Sequence, residues 1–271
     1  MSTPKPNQKI TVPEIIAMKK RGEKITALTA YDFLFASILD EARIDIILVG
    51  DSGAMVFAGH DNTLPITLDE MIYHTRAARR GVKRALLVTD MPFLSYQVSP
   101  EEALRNAGRC LKEGGAEAVK LEGGESIVET IHRIVVAGIP VMGHLGLTPQ
   151  SVHAFGGYGL QGSSAEAAER LKKDAKLLEQ AGVFSMVLEK IPALLAKEVS
   201  ESISVPTIGI AAGPHCDGQV LVTHDMLGLY EKFRLKFVRR YAEVGATIRD
   251  AAEKFSRDVK SGSFPSAEES Y

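Results

Sequence analysis

The feature that most constrains this chain is a repeated construction, a short apolar run that ends on an acid. Residues 44–49 lead through Gly50 to Asp51, 85–89 to Asp90, 118–121 to Glu122 and 184–188 to Glu189. Apolar, β-branched runs of this length are strands buried on both faces, the kind found in parallel sheets. A charge just beyond a dry strand is costly unless a cation, a strong donor or water meets it. Four strands that each deliver a carboxylate at the same end point to one site.

Capped, amphipathic segments separate these runs. The first helix spans 11–21, with the Thr11…Glu14 spacing of a capping box and Pro13 in its first turn. A strand over 24–30 and a helix over 33–42 precede the 44–49 strand, and a long Gly- and Asn-containing loop, 52–66, follows it. Thr67…Glu70 opens a helix to Gly81, with Arg79 and Arg80 where cations suit the dipole. The strand 85–89 is followed by a helix over 99–113, and the strand 118–121 by a helix that Ser126…Glu129 opens. A strand over 139–143 ends at His144, before a second long loop, 145–162. The longest helix is expected over 163–181, started by Ser163…Glu166. The strand 184–188, a helix over 192–202, strands over 206–210 and 220–222, and helical segments to about residue 260 complete the order.

Strict alternation of strand and helix predicts a parallel sheet with right-handed crossovers, and eight repeats close into a (β/α)8 TIM barrel. One interval is short. Only 211–219 separates strands seven and eight, whereas a parallel crossover needs about a dozen residues or more. Either the seventh helix is vestigial or the eighth strand lies elsewhere. The expected organisation is a disordered start over 1–9, a single barrel domain over 10–263 and a loose tail over 264–271.

Composition narrows the function. An apolar content of 45% can fill a large core, and a net charge of −2 gives no electrostatic case for nucleic acid or an anionic membrane. No window is apolar for long enough to span a bilayer, and the start lacks a signal-peptide core. Cys110 and Cys216 lie far apart, which argues against a disulfide framework or structural zinc. His215-Cys216-Asp217 matches no zinc spacing and reads as loop. These features fit a cytoplasmic enzyme acting on small molecules.

In such barrels the active face is at the C-terminal ends of the strands. Asp51, Asp90 and Glu122 come from neighbouring strands, and their mutual repulsion raises at least one pKa unless a divalent cation sits between them. Oxygen-only ligation suits Mg²⁺ better than Zn²⁺. Singly, each acid could equally cap a helix or pair with an arginine. Lys120 lies two residues before Glu122, so it shares the interior face, where it pairs with Glu122 or holds the carboxylate or oxo group of a small acid. Glu189, expected across the barrel from the other acids, follows the apolar Met186-Val187-Leu188, as suits a proton acceptor. Ser52 can donate to an anionic ligand or cap a turn, and His144 can be an acid, a donor or support for its loop, with support favoured when it is taken alone. Together the set suggests enolate chemistry on a 2-oxo acid, with a metal polarising the oxo group and Glu189 taking the neighbouring proton.

Several runs carry a resemblance. Thr29-Ala30-Tyr31-Asp32, Val49-Gly50-Asp51-Ser52, Gly59-His60-Asp61, Val119-Lys120-Leu121-Glu122-Gly123-Gly124, the specific run from Gly143 to Ser151, Phe155-Gly156-Gly157-Tyr158 and Asp217-Gly218-Gln219-Val220-Leu221-Val222 resemble the ketopantoate hydroxymethyltransferase family. The similarity extends from about residue 10 to 263. It implies a barrel of the phosphoenolpyruvate-binding type that transfers a hydroxymethyl group from 5,10-methylenetetrahydrofolate to 3-methyl-2-oxobutanoate, on the route to pantothenate. It also implies Mg²⁺ at Asp51, Asp90 and Glu122, oxo-acid contacts from Asp51, Ser52, Asp90 and Lys120, and Glu189 as proton acceptor. A cytoplasmic homodecamer of two pentameric rings follows from it too. Gly53-Ala54 departs from the family pattern of a larger residue and then Gly, and Ala211 stands where Gly is frequent. The rivals are a Mg²⁺-dependent lyase or mutase of the related barrels, whose Lys-Lys-Cys-Gly-His loop is absent here, and a non-catalytic oxo-acid-binding barrel.

Overall fold

The computed structural model describes residues 8–229 and 235–271. Eight parallel strands close in sequence order: β1 (Ile25–Thr29), β2 (Ile46–Val49), β3 (Leu86–Asp90), β4 (Ala118–Glu122), β5 (Val141–Gly146), β6 (Ser185–Glu189), β7 (Thr207–Ile210) and β8 (Gly218–Leu221). β8 returns to β1, pairing Gly218 with Ile25 and Leu221 with Leu28. Closure leaves no edge strand, and the expected barrel is present.

Between the strands run α1 (Val12–Arg21, before β1), α2 (Phe33–Glu41), α3 (Gly53–Val56), α4 (Leu68–Gly81), α5 (Pro100–Arg109), α6 (Val128–Val136), α7 (Val152–Phe155), α8 (Ala165–Ala181) and α9 (Ala193–Ser202). Period-2 alternation sorts the strand residues into two cores. Ile46, Leu48, Leu86, Val88, Ala118 and Met142 fill the barrel, and Ile15 and Met18 of α1 pack beneath them. Val119, Leu121, Met186 and Leu188 face outward against Ile72, Ile131, Leu178 and Val199 of the surrounding helices.

Local chemistry corrects several boundaries. The α4 capping box forms as expected, Thr67 Oγ1 accepting from Glu70 N and Glu70 Oε2 from Thr67 N. Thr11 makes no side-chain cap, and the Glu14 carboxylate meets Arg21 at 2.6 Å instead of returning to Thr11. Ser126 falls inside a 3₁₀ turn (Glu125–Ile127) ahead of α6, and Asp174 of α8 accepts from Glu125 N. Ser164, not Ser163, caps α8. The loop 52–66 contains α3, and 145–162 contains a 3₁₀ turn (Pro149–Ser151) and α7. β5 starts and ends later than expected, so His144 is a strand residue with its side chain in the barrel. Of the expected disordered start, 1–7 lie outside the described residues. Lys9 is anchored, its ammonium meeting Glu117 and the carbonyl of Ala85.

No helix separates β7 from β8; residues 211–217 turn straight back. The return is held where it re-enters the sheet. Asp217 Oδ2 accepts from Thr207 N at 2.8 Å and Oγ1 at 3.1 Å, and pairs with Lys19 at 3.0 Å. The same device recurs along the N-terminal rim. Asp45, just before β2, accepts from Thr26 N and Oγ1 in β1, and Glu117, just before β4, accepts from Leu87 N in β3.

By its internal contacts the chain divides into a unit ending at Leu221 and a second comprising Val222–Tyr271, where the sequence suggested one domain over 10–263. The second unit contains α10 (Thr223–Met226) and α11 (Val244–Ser261), and residues 230–234, within the expected helical run, lie outside the described residues. At 18 residues α11 exceeds α8, the expected longest helix. The tail after it forms a capped 3₁₀ turn (Ala267–Glu269), and the Phe264 ring meets Phe255 at 5.5 Å.

Candidate active site

The C-terminal ends of five consecutive strands carry the polar groups. Asp51 follows β2, Asp90 ends β3, Lys120 and Glu122 lie on β4, His144 on β5, and Glu189 ends β6. Parallel register sets them side by side: Asp90 pairs with Lys120, and Glu122 with His144. Lys120 and Glu122 share the interior face, as their spacing requires, and all but Glu189 are buried.

A continuous chain of contacts results. Asp51 N donates to Asp90 Oδ2 at 3.0 Å. Lys120 Nζ stands 2.9 Å from Asp90 Oδ1 and 3.6 Å from Glu122 Oε1. His144 Nδ1 is 3.2 Å from Glu122 Oε1, and its Nε2 is 3.3 Å from Glu189 Oε2. Glu189 is therefore joined to Glu122 through one imidazole, not isolated across the barrel. Met186 and Leu188, expected to wall it, face the outer core instead, because they alternate with it along the strand. His144 is likewise no loop support; it is the link between two acids.

Two side chains that the sequence left without a role complete the arrangement. Gln150, in the 3₁₀ turn (Pro149–Ser151) after β5 ends at Gly146, donates through Nε2 to Asp51 Oδ2 at 2.9 Å and through its backbone N to Glu122 Oε2 at 3.1 Å. Tyr96 lies beneath it, its hydroxyl 2.8 Å from Gln150 Oε1. A polar residue in an aperiodic loop gives no pattern to read; only the specific run from Gly143 to Ser151 marked that segment. Ser52 Oγ sits 2.9 Å from the hydroxyl of Tyr31, another buried residue from a quoted run. At the departure Gly53 the backbone runs close to the Tyr31 ring, and a Cβ there would stand 2.9 Å from it.

The electrostatics are those of carboxylates in excess. Burial, with Glu122 and Asp90 nearby, pushes Asp51 well above the usual carboxylate range. Burial raises Asp90 too, against the pull of Lys120. Glu122 moves down: burial opposes its charge, but His144 and Lys120 outweigh that. Burial and Lys120 oppose a charge on His144, yet Glu122 and Glu189 prevail and raise it to about 9. Lys120 is held protonated by Asp90, Glu122 and Asp51 despite its burial. Asp90 Oδ1, Glu122 Oε1 and His144 Nε2 are buried without a hydrogen bond of proper geometry. Buried polar atoms are nearly always satisfied, so three orphans in one place mark a site built for something else. Among the described residues, no three His, Cys, Asp or Glu side chains are already closed around a metal position.

A family profile described as ketopantoate hydroxymethyltransferase matches residues 9–267. The chain is 55% identical over 271 residues to a 3-methyl-2-oxobutanoate hydroxymethyltransferase of Syntrophus aciditrophicus (strain SB), covering all of both chains. It is 59% identical over 266 residues to the protein of that name from Prosthecochloris aestuarii (strain DSM 271 / SK 413), covering 97% of this chain and 96% of the relative. Among solved structures, a phosphonopyruvate hydrolase in complex with oxalate and Mg²⁺ superposes with a TM-score of 0.63 at 15% identity, covering 96% and 93% of the two chains. A 2,3-dimethylmalate lyase, a member of the PEP mutase/isocitrate lyase superfamily, gives 0.62 at 17% identity, covering 91% and 87%. The structural likenesses speak to the fold alone, whereas the sequence matches are close and run nearly end to end. They favour the hydroxymethyltransferase over the lyase or mutase reading, and the chain belongs to the ketopantoate hydroxymethyltransferase family.

Proposed function

We propose that this barrel transfers a hydroxymethyl group from 5,10-methylenetetrahydrofolate to C3 of 3-methyl-2-oxobutanoate, giving 2-dehydropantoate (ketopantoate) for pantothenate synthesis. The observation that carries the reading is the row of four carboxylates, three of them buried, with Lys120 and His144 beside them. That excess of negative charge, with orphaned oxygens on Asp90 and Glu122, fits a divalent cation with oxygen ligands. Asp51, Asp90 and Glu122 would hold Mg²⁺. One ammonium touches both Asp90 and Glu122, and one glutamine touches both Asp51 and Glu122, so the three acids line a common space. Bound there, the ion would polarise the substrate's oxo group and make the adjacent C3–H acidic.

The chain's own groups supply the rest. Lys120 gives the substrate's anionic end a fixed positive charge, and Ser52, oriented by Tyr31, gives it a hydroxyl donor. Glu189 is the least buried of the acids, placed to accept the C3 proton. His144 bridges the two acids, with Nε2 3.3 Å from Glu189 and Nδ1 3.2 Å from Glu122. No helix among the described residues is long and apolar enough to cross a membrane. The reading places the enzyme in the cytoplasm as a decamer of two pentameric rings. Exposed apolar side chains, Leu34 and Ile38 on α2 and Ile248, Phe255 and Val259 on α11, support burial against other copies.

The test follows C3 deuteration of 3-methyl-2-oxobutanoate in D₂O and then product formation with the folate. Mg²⁺-dependent exchange, with product only when the folate is added, is expected. Product formation independent of the folate would point to the lyase, and binding without exchange to a non-catalytic barrel.

A further inference from the structure

The amide of Gln150 uses its full hydrogen-bonding capacity inside the protein, at 6% exposure. Nε2 donates to Asp51 Oδ2 and to Met91 O, each at 2.9 Å. Oε1 accepts from Tyr96 OH at 2.8 Å and from Gln97 Nε2 at 3.1 Å. The orientation is fixed by chemistry, because Met91 O can only accept and so must face the nitrogen. The backbone N of the same residue donates to Glu122 Oε2.

Gln150 thus engages one oxygen on each of two carboxylates that repel each other. Glu122 Oε1 is left without a hydrogen bond. The side-chain amide holds Asp51 and the backbone N–H holds Glu122, and, both being neutral, neither cancels a charge. A lysine or arginine there would neutralise the field that a cation needs, and an acid would worsen the repulsion. We infer that Gln150 is a positioning residue, which sets the oxygens that Asp51 and Glu122 present and thereby the affinity for the divalent ion. The inference rests on the metal reading above.

The supporting shell around metal ligands is worth roughly 10–100-fold in affinity. Binding of Mn²⁺ is measured by the EPR signal of free ion on substrate-free protein, alongside melting temperature. Gln150→Met keeps the side chain's length and removes its donor and acceptor; it is expected to weaken Mn²⁺ binding by about tenfold or more. Tyr96→Phe removes the hydroxyl that meets Gln150 Oε1 and also the backbone of Glu122, while leaving Gln150 in place, and is expected to weaken Mn²⁺ by more than roughly threefold. Loss in Gln150→Met supports the inference, and loss in Tyr96→Phe supports it when the double variant binds no more weakly than Gln150→Met alone. If Gln150→Met lowers only the melting temperature and holds Mn²⁺ within about threefold of wild type, Gln150 is stitching and the inference is overturned. Should that variant not fold, an unchanged Mn²⁺ affinity in Tyr96→Phe overturns it equally. A wild-type protein that binds no Mn²⁺ overturns the metal reading as well.

Discussion

Lys120→Met tests the electrostatic balance on which the site is built. Methionine retains a long apolar stem but deletes an ammonium 2.9 Å from Asp90 Oδ1 and 3.6 Å from Glu122 Oε1, at 4% exposure. If the lysine merely filled space, a volume-conserving swap would cost less than about 1.5 kcal/mol. If it neutralises the acids, the swap strands buried anions, at a cost of about 3–5 kcal/mol. For a chain of this size that lowers the melting temperature by roughly 6–20 °C in metal-free buffer. Differential scanning fluorimetry reads the shift. Mg²⁺ is expected to restore more stability to the variant than it adds to wild type, because a divalent ion can take over the lost neutralisation. A ligand at about a hundred times its Kd contributes roughly 2.7 kcal/mol by mass action, enough to see. A fall within about 3 °C, with equal Mg²⁺ responses in both proteins, would refute the reasoning.

Glu189→Gln is expected to retain 3-methyl-2-oxobutanoate binding while slowing C3 exchange in D₂O by roughly 10²–10⁴-fold, and unchanged exchange removes Glu189 from the base role. Thr67→Ala opens the α4 capping box and should cost about 1 kcal/mol by thermal melting with activity intact. Ala211 sits at φ 52°, in the left-handed region where the family often has Gly. A β-branched side chain there is more strained, so Ala211→Val should destabilise by about 1–3 kcal/mol, and a melting temperature equal to wild type would show that the turn relaxes freely.

Much of the fold was legible because alternation and capping are local signals. Every expected strand exists, displaced by one to three residues where the apolar run and the hydrogen-bonded ladder end at different places, as at His144. What failed depended on distant partners. Thr11 and Ser126 have the sequence of a cap, but Arg21 and Asp174 decide where the neighbouring polar groups go. The missing helix between β7 and β8 was visible as a shortage of residues, though not how the return is held: Asp217, dismissed with its neighbours as loop, fastens it to Thr207. The places of the four acids and the lysine were readable from strand-end position. Gln150 was not, because its importance lies wholly in what it touches.

The barrel carries two sets of strand-end acids, and their opposite treatment separates support from chemistry. On the N-terminal rim, Asp45, Glu117 and Asp217 each accept a strand N–H from the preceding strand and meet a cation, Arg84, Lys9 and Lys19 respectively. Their charge is spent on closing the sheet. On the C-terminal face, Asp90 and Glu122 keep an oxygen without a hydrogen bond, although Lys120 stands within reach of both. In sequence the two sets look alike, an acid beside an apolar run; Asp45 even lies within the 44–49 run that leads to Asp51. Position relative to the strand direction and the completeness of hydrogen bonding distinguish them. An acid that ends a strand with an unsatisfied oxygen is held at a free-energy cost that Lys120 and His144 offset in part and a bound ion or substrate would offset further. That cost is the physical reason to look for the reaction on this face of the barrel and not the other.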